Sequence, residues 1–180
     1  LDKIKKKIQL LKEVKSVNLY ITENIIYIQV KARQPAIYWL NGSGLELLDD
    51  DGVSIKVVSD GRASLSLPLI AGVGANRYID EAIFIYSKSK SFSKEILGLV
   101  RVGERRWDLI LKNGKKIMLP AEGLEIAFKK LIKENSYKTL VSGNFSVLDL
   151  RNLNRMVIRQ RNNTNKAVEI KLRSLEEGAI

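Results

Sequence analysis

Residues 107–119 read WDLILKNGKKIML, and this stretch decides the fold class. Trp107 to Leu111 and Lys115 to Leu119 are runs of alternating apolar residues with Asn113-Gly114 between them. Asn-Gly in that setting is the strongest short-range signal for a β-hairpin, because both residues accept the left-handed backbone that matches strand twist. Outward from this block the chain continues in short strands. Ile37 to Leu40 and Leu45 to Leu48 flank Asn41-Gly42-Ser43-Gly44, and Val53 to Val58 follows the turn Asp49-Asp50-Asp51-Gly52. Ser59 to Ser64 reads as loop and Leu65 to Ile70 as extended chain. A last pair of strands spans Asn144 to Leu150 and Met156 to Arg161. Two amphipathic helices are embedded. One is marked by Ile79, Ala82, Ile83 and Tyr86, with Asn76 as its candidate N-cap; the other by Leu124, Ala127, Phe128 and Leu131.

The N-terminal segment has a different pattern. Ile4, Ile8 and Leu11 lie at helical spacing within 2–12, with lysines on the other faces. Val14 to Thr22 and Ile25 to Lys31 then alternate around Glu23-Asn24, a hairpin. Pro35 cannot donate to a ladder and suits a junction. The expected organisation is therefore an α+β chain: residues 1–34 as a helix plus β-hairpin, 35–161 as a mainly antiparallel β domain with two helices, and 162–180 as a polar tail.

Composition narrows the chemistry. The 180 residues include no histidine and no cysteine, which removes His- and Cys-based nucleophile pairs, disulfides, and the commonest metal ligands. Asp49-Asp50-Asp51-Gly52 lacks the alternating ligands and closing Glu of a calcium loop and reads as a turn. Gly72 and Gly74 lack a phosphate-binding fingerprint and read as a loop that caps a helix. Glu104, Asp108, Glu122 and Glu125 show no facing pair and read as surface charges, with Asp108 pointing away from Trp107. The sequence implies no enzyme, no cofactor and no metal site. Lys and Arg outnumber Asp and Glu by 31 to 20, a formal charge of +11 that favours anionic partners. Arg105-Arg106-Trp107 joins basic residues to an aromatic, so a basic nucleic-acid-binding module is the alternative reading. No apolar run approaches the ~20 residues that span a bilayer. A chain that opens on Leu1 is expected to be a fragment with any anchor upstream.

In order, VKSVNLYITENIIYIQVKARQPAIYW, ELLDDDGVSI, LPLIAGVGAN, a helix, LVRVGERRWDLILKNGKKIMLP, a second helix and VLDLR resemble the FtsQ/DivIB family of cell-division proteins over residues 1–160. The resemblance implies a POTRA domain that lacks its first strand and first helix, followed by the family's β domain. It implies a single-pass protein of the bacterial inner membrane whose periplasmic part lies at the septum. It implies a divisome scaffold linking early to late division proteins, with the FtsB–FtsL pair as partner and neither nucleic acid nor a small-molecule substrate. A translocation component with a POTRA unit would share the first unit, but the GERRWDLILKNG block speaks against it. In the family the FtsB contact lies on the last strands. Asp149-Leu150-Arg151 matches the family motif, so the implied site is Arg151, Asn152, Leu153, Asn154, Met156, Val157, Ile158 and Arg159. This chain has Asn152 where the family often has Tyr, and Asn152-Leu153-Asn154-Arg155 where the family has a Gly-rich turn. Arg151, Arg155 and Arg159 are expected to meet acidic residues of the partner.

Overall fold

The hairpin at the N-terminus forms as its turn residues dictate. Glu23 and Asn24 both take positive φ, 52° and 65°, the two-residue primed turn that strand twist requires. In the computed structural model, which describes residues 1–58, 66–133, 143 and 145–160, α1 (Asp2–Gln9) precedes β1 (Val14–Thr22) and β2 (Ile25–Ala32). The two strands form a separate antiparallel sheet, with Tyr20 stacked on Tyr27 across it at 5.1 Å. The helix stops at Gln9, short of the expected residue 12, and Leu11 closes its end by donating to the Ile8 carbonyl. Every residue of β2 is exposed.

The remaining strands make one nine-stranded sheet. They are β3 (Ile37–Asn41), β4 (Gly44–Leu48), β5 (Ser54–Val58), β6 (Leu69–Ala71), β7 (Ile96–Val102), β8 (Arg106–Leu111), β9 (Lys116–Met118), β10 (Phe145–Asp149) and β11 (Val157–Gln160). Their order is β11-β10-β9-β8-β7-β6-β3-β4-β5. Chain neighbours joined by short turns pair antiparallel, whereas β3–β6, β6–β7 and β9–β10 are parallel. A parallel pair needs a crossover. The β6–β7 crossover carries α2 (Ile79–Lys88), and the β9–β10 crossover carries α3 (Leu124–Lys133). Residues 59–65, Asn144, Arg161 and 162–180 lie outside the described residues, and with them the expected Ser59–Ser64 loop and the polar tail.

Both helices pack on one sheet face. Ala82 and Ile85 of α2 and Ala127, Phe128 and Leu131 of α3 share a buried cluster with Ile70, Leu99, Trp107, Leu109, Ile117 and Leu148. The Asn-Gly hairpin forms with a longer loop than a two-residue turn. Gly114, at φ 79°, donates to the Leu111 carbonyl, and Leu111 donates to the Lys115 carbonyl. Asn76 does not cap α2. It lies inside a 3-10 helix, Ala75–Tyr78, that opens on Gly74 at φ 67°.

Trp107 ties sheet to helix. Its indole is fully buried and donates to Glu81 of α2 at 2.9 Å. Arg101 of β7 reaches the same Glu81 oxygen at 2.5 Å and lies over the Tyr78 ring at 3.9 Å. The aromatic beside Arg105 and Arg106 is thus a core residue and offers no stacking platform. Among the described residues no helix is long and apolar enough to cross a membrane. We predict that Trp107→Ala lowers unfolding free energy by about 3–5 kcal/mol, read from urea midpoints, because it empties a closed site and removes one of the two donors to Glu81, leaving Arg101.

Candidate functional site

The last strand is an edge. β11 pairs with β10 through Val157–Asp149, Ile158–Leu148 and Arg159–Val147, and among the described residues nothing pairs with its other side. An edge of this kind presents a row of unused N–H and C=O groups. Val157, Ile158 and Arg159 are exposed.

The turn into β11 is built around Asp149. After Leu148 turns inward, Asp149 faces the side of the sheet away from α2 and α3, and it is 8% exposed. A buried carboxylate needs charged donors, and Arg151 supplies them. Its Nε donates to Oδ1 at 2.9 Å and its Nη2 to Oδ2 at 2.6 Å, a two-pronged pair. The Arg151 backbone N–H adds a third donor at 3.1 Å, and Arg159 Nη2 stands 3.9 Å away. The Arg151 hydrogen bonds hold the Asp149 carboxyl below the usual carboxylate range, and Asp149 in turn raises the Arg151 guanidinium.

Asn152 to Arg155 need no glycine. Asn152 Oδ1 accepts the Asn154 N–H at 2.8 Å and the Asn152 carbonyl accepts the Arg155 N–H at 3.3 Å, with no positive φ among the four. Asparagine side chains close this turn as they close other Asx turns. Asp149, Arg151, Asn152, Arg155 and Val157 line an open hollow beside the strand.

The eight implied residues divide into two sets. Arg151, Asn152, Asn154, Val157, Ile158 and Arg159 are exposed. Leu153 and Met156 are half-buried and pack against the core. Leu153 seats over Gly123, where an added Cβ would come within 2.7 Å of its Cδ1. The Lys130 ammonium of α3 donates to the Leu153 carbonyl. Sequence reading missed Gly123 and Lys130, which lie far away in the chain, and missed the pairing role of Asp149. The spacing Asp149-x-Arg151 was the available signal, since residues two apart share a strand face.

The other acidic candidates do not gather. Glu104, Glu122 and Glu125 are exposed, and Glu104 pairs with Arg77 at 2.9 Å. Asp108 corrects the surface-charge expectation. It does point away from the Trp107 face, but it is 3% exposed and lies 3.5 Å from both Arg106 and Lys116.

Residues 37–151 match the family model described as cell division protein FtsQ/DivIB, C-terminal. The chain is 31% identical over 160 residues to the cell division protein FtsQ of Jannaschia sp. (strain CCS1), covering 88% of this chain and 51% of that protein. To the same protein of Dinoroseobacter shibae it is 35% identical over 135 residues, 75% of this chain and 46% of that one. To that of Rickettsia typhi it is 32% identical over 163 residues, 89% and 60%. The chain thus spans about half the length of the first two relatives.

Two outcomes test this geometry. A carboxyl with a depressed folded pKa contributes stability that is complete above its unfolded value and is lost as pH falls through the folded one. Asp149→Asn should therefore lower the urea midpoint at pH 7, and its gap to wild type should begin to narrow as pH falls below about 4 and close only below the depressed folded value. Gly123→Ala, at φ 74°, should cost about 1–2 kcal/mol and displace Leu153, seen as a shift of its methyl resonances.

Proposed function

The chain belongs to the FtsQ/DivIB family of cell-division proteins, and from that premise we propose that it is a non-catalytic divisome scaffold that binds the FtsB–FtsL pair by strand addition to β11. Residues 1–34 and 35–161 act as its two units. The described part lies on the periplasmic side of the inner membrane at the septum. A partner segment lays an extended strand along β11, uses its open N–H and C=O groups, and sets side chains against Val157, Ile158 and the Arg151–Arg159 region. The observation that carries this reading is one-sided pairing of β11 combined with exposure of Val157, Ile158 and Arg159.

Charge supports the choice of partner. Arg155 is exposed and forms no ion pair among the described residues, while Arg151 is committed to Asp149. An acidic partner side chain is therefore expected to meet Arg155 first and Arg159 second. Each exposed pair adds only about 0.2–1 kcal/mol. Its larger effect is on encounter rate and choice of partner.

Proline scanning tests the mode. Adjacent residues in a strand direct their N–H groups to opposite edges. Of Val157→Pro and Ile158→Pro, one should remove an outward donor and weaken capture of co-purified FtsB–FtsL periplasmic segments by about tenfold or more while unfolding stability holds. The other should disturb β10 pairing and lower stability. Equal binding by wild type and both variants overturns strand addition. No binding by wild type, with salt-sensitive capture of DNA or RNA instead, replaces the scaffold with a nucleic-acid module.

A further inference from the structure

The three aspartates of the β4–β5 turn receive two cations from the hairpin unit. Arg33, directly after β2, donates from Nη1 to Asp49 Oδ2 at 2.5 Å. Lys15, in β1, lies 2.8 Å from Asp50 Oδ1 and 2.9 Å from Asp51 Oδ2. The base of each hairpin strand therefore sends one cation into the same turn of the large sheet.

The two contacts differ in burial, and burial decides how they respond to solvent. Asp49 is fully buried, and its other oxygen accepts the N–H groups of Asp51 at 3.0 Å and Val53 at 2.8 Å. The Arg33 side chain is 17% exposed. Losing either partner would strand a buried charge, so this pair persists at high salt. The Lys15 contacts are open: Asp50 and Asp51 side chains are 62% and 53% exposed. Salt at 1 M, with a Debye length of about 3 Å, screens such pairs.

The connection between the units is short and tied at both ends. Arg33 donates its N–H to the Glu13 carbonyl and Ala36 donates to the Leu48 carbonyl, which leaves Gln34 and Pro35 between them. Proline fixes one of the backbone angles there. On the sheet side the turn is anchored too. Gly52 sits at φ 77°, and an added Cβ would collide with the Asn76 carbonyl.

The geometry points to a two-part latch: Arg33–Asp49 is a buried pivot between the α1–hairpin unit and the nine-stranded sheet, and Lys15 with Asp50 and Asp51 is an exposed catch that fixes the angle about that pivot. This goes beyond the proposed partner contact and holds whatever docks on β11. The turn lies at the β5 end of the sheet and β11 at the other. Eight strand spacings of about 4.8 Å separate them, roughly 38 Å along the sheet, so the catch sets the direction in which the far edge is presented.

The chain has no cysteine, so two introduced ones label it uniquely. Gln29→Cys on β2 and Lys90→Cys after α2 are both at exposed positions. Spin-label distances between them should form one narrow distribution at low salt. The distribution should broaden about twofold or more in 1 M salt and in Lys15→Glu at low salt. It should narrow again when Lys15→Glu is combined with Asp50→Lys and Asp51→Lys. The salt series requires no substitution in the latch, so it decides the matter even if Lys15→Glu folds poorly. A wild-type distribution already broad at low salt, or one that ignores both salt and charge reversal, overturns the latch.

Discussion

The register of the large sheet is the constraint on which the rest depends. Trp39, Ile70, Leu99, Leu109, Ile117 and Leu148 stand side by side across six strands. All but Trp39 are 0–1% exposed. Burying each such side chain contributes roughly 1.5–3 kcal/mol, and a slip of one residue in any strand would send its member to the opposite face. The parallel pairs within this row force the crossovers, and the crossover helices α2 and α3 then cover the same face. Ile158 extends the row onto β11, yet it is 54% exposed. The apolar row outruns its cover at the last strand.

The opposite face has its own row, and it explains where part of the basic surplus goes. Asp149, Met118, Asp108 and Val100 are in register across β10 to β7. Asp108 and Asp149 are both buried, so their carboxylates must be paired. Arg106 and Lys116 serve Asp108, and Arg151 and Arg159 serve Asp149. Four cations against two anions leave a local surplus of two positive charges at the β8–β11 end. A composition of +11 reads as diffuse, while the fold concentrates part of it beside one edge.

What was legible in the sequence is what short-range chemistry encodes. Glu23-Asn24 and Asn113-Gly114 announced their hairpins, and the Ala82 and Phe128 stripes announced the helices, because turn residues and periodicity act within a few positions. β7 escaped notice. Gly98 interrupts its alternation, and the buried Arg101 occupies a core-facing position that reads as surface. Its place depends on Glu81, Tyr78 and Trp107, which only the fold assembles. Parallel pairing was equally hidden, since nothing in β9 names a partner beyond a helix. Leu153, set between asparagines, reads as an exposed turn residue, whereas the notch at Gly123 draws it inward. Asp108 shows the limit well: alternation gave its direction, and only the neighbours Arg106 and Lys116 gave its burial.

The two ends of the sheet are unequal, and energetics indicates what each requires. Among the described residues β5 also lacks an outer neighbour, but Lys56 and a register shift beside Leu48 mark it as a protected edge. β11 has only four residues, which offer about four outward backbone hydrogen bonds, worth roughly 2–6 kcal/mol in all. Association alone costs an estimated 4–15 kcal/mol or more. Backbone pairing on so short a strand therefore cannot hold a partner by itself. On the proposed reading, the deficit has to be met by side chains: Ile158 as an apolar contact, Arg155 and Arg159 as charges, and the seated turn that keeps all three from paying an ordering cost on binding. A short edge is thus selective as well as weak, because a segment that lacks matching side chains gains too little from the backbone to remain bound.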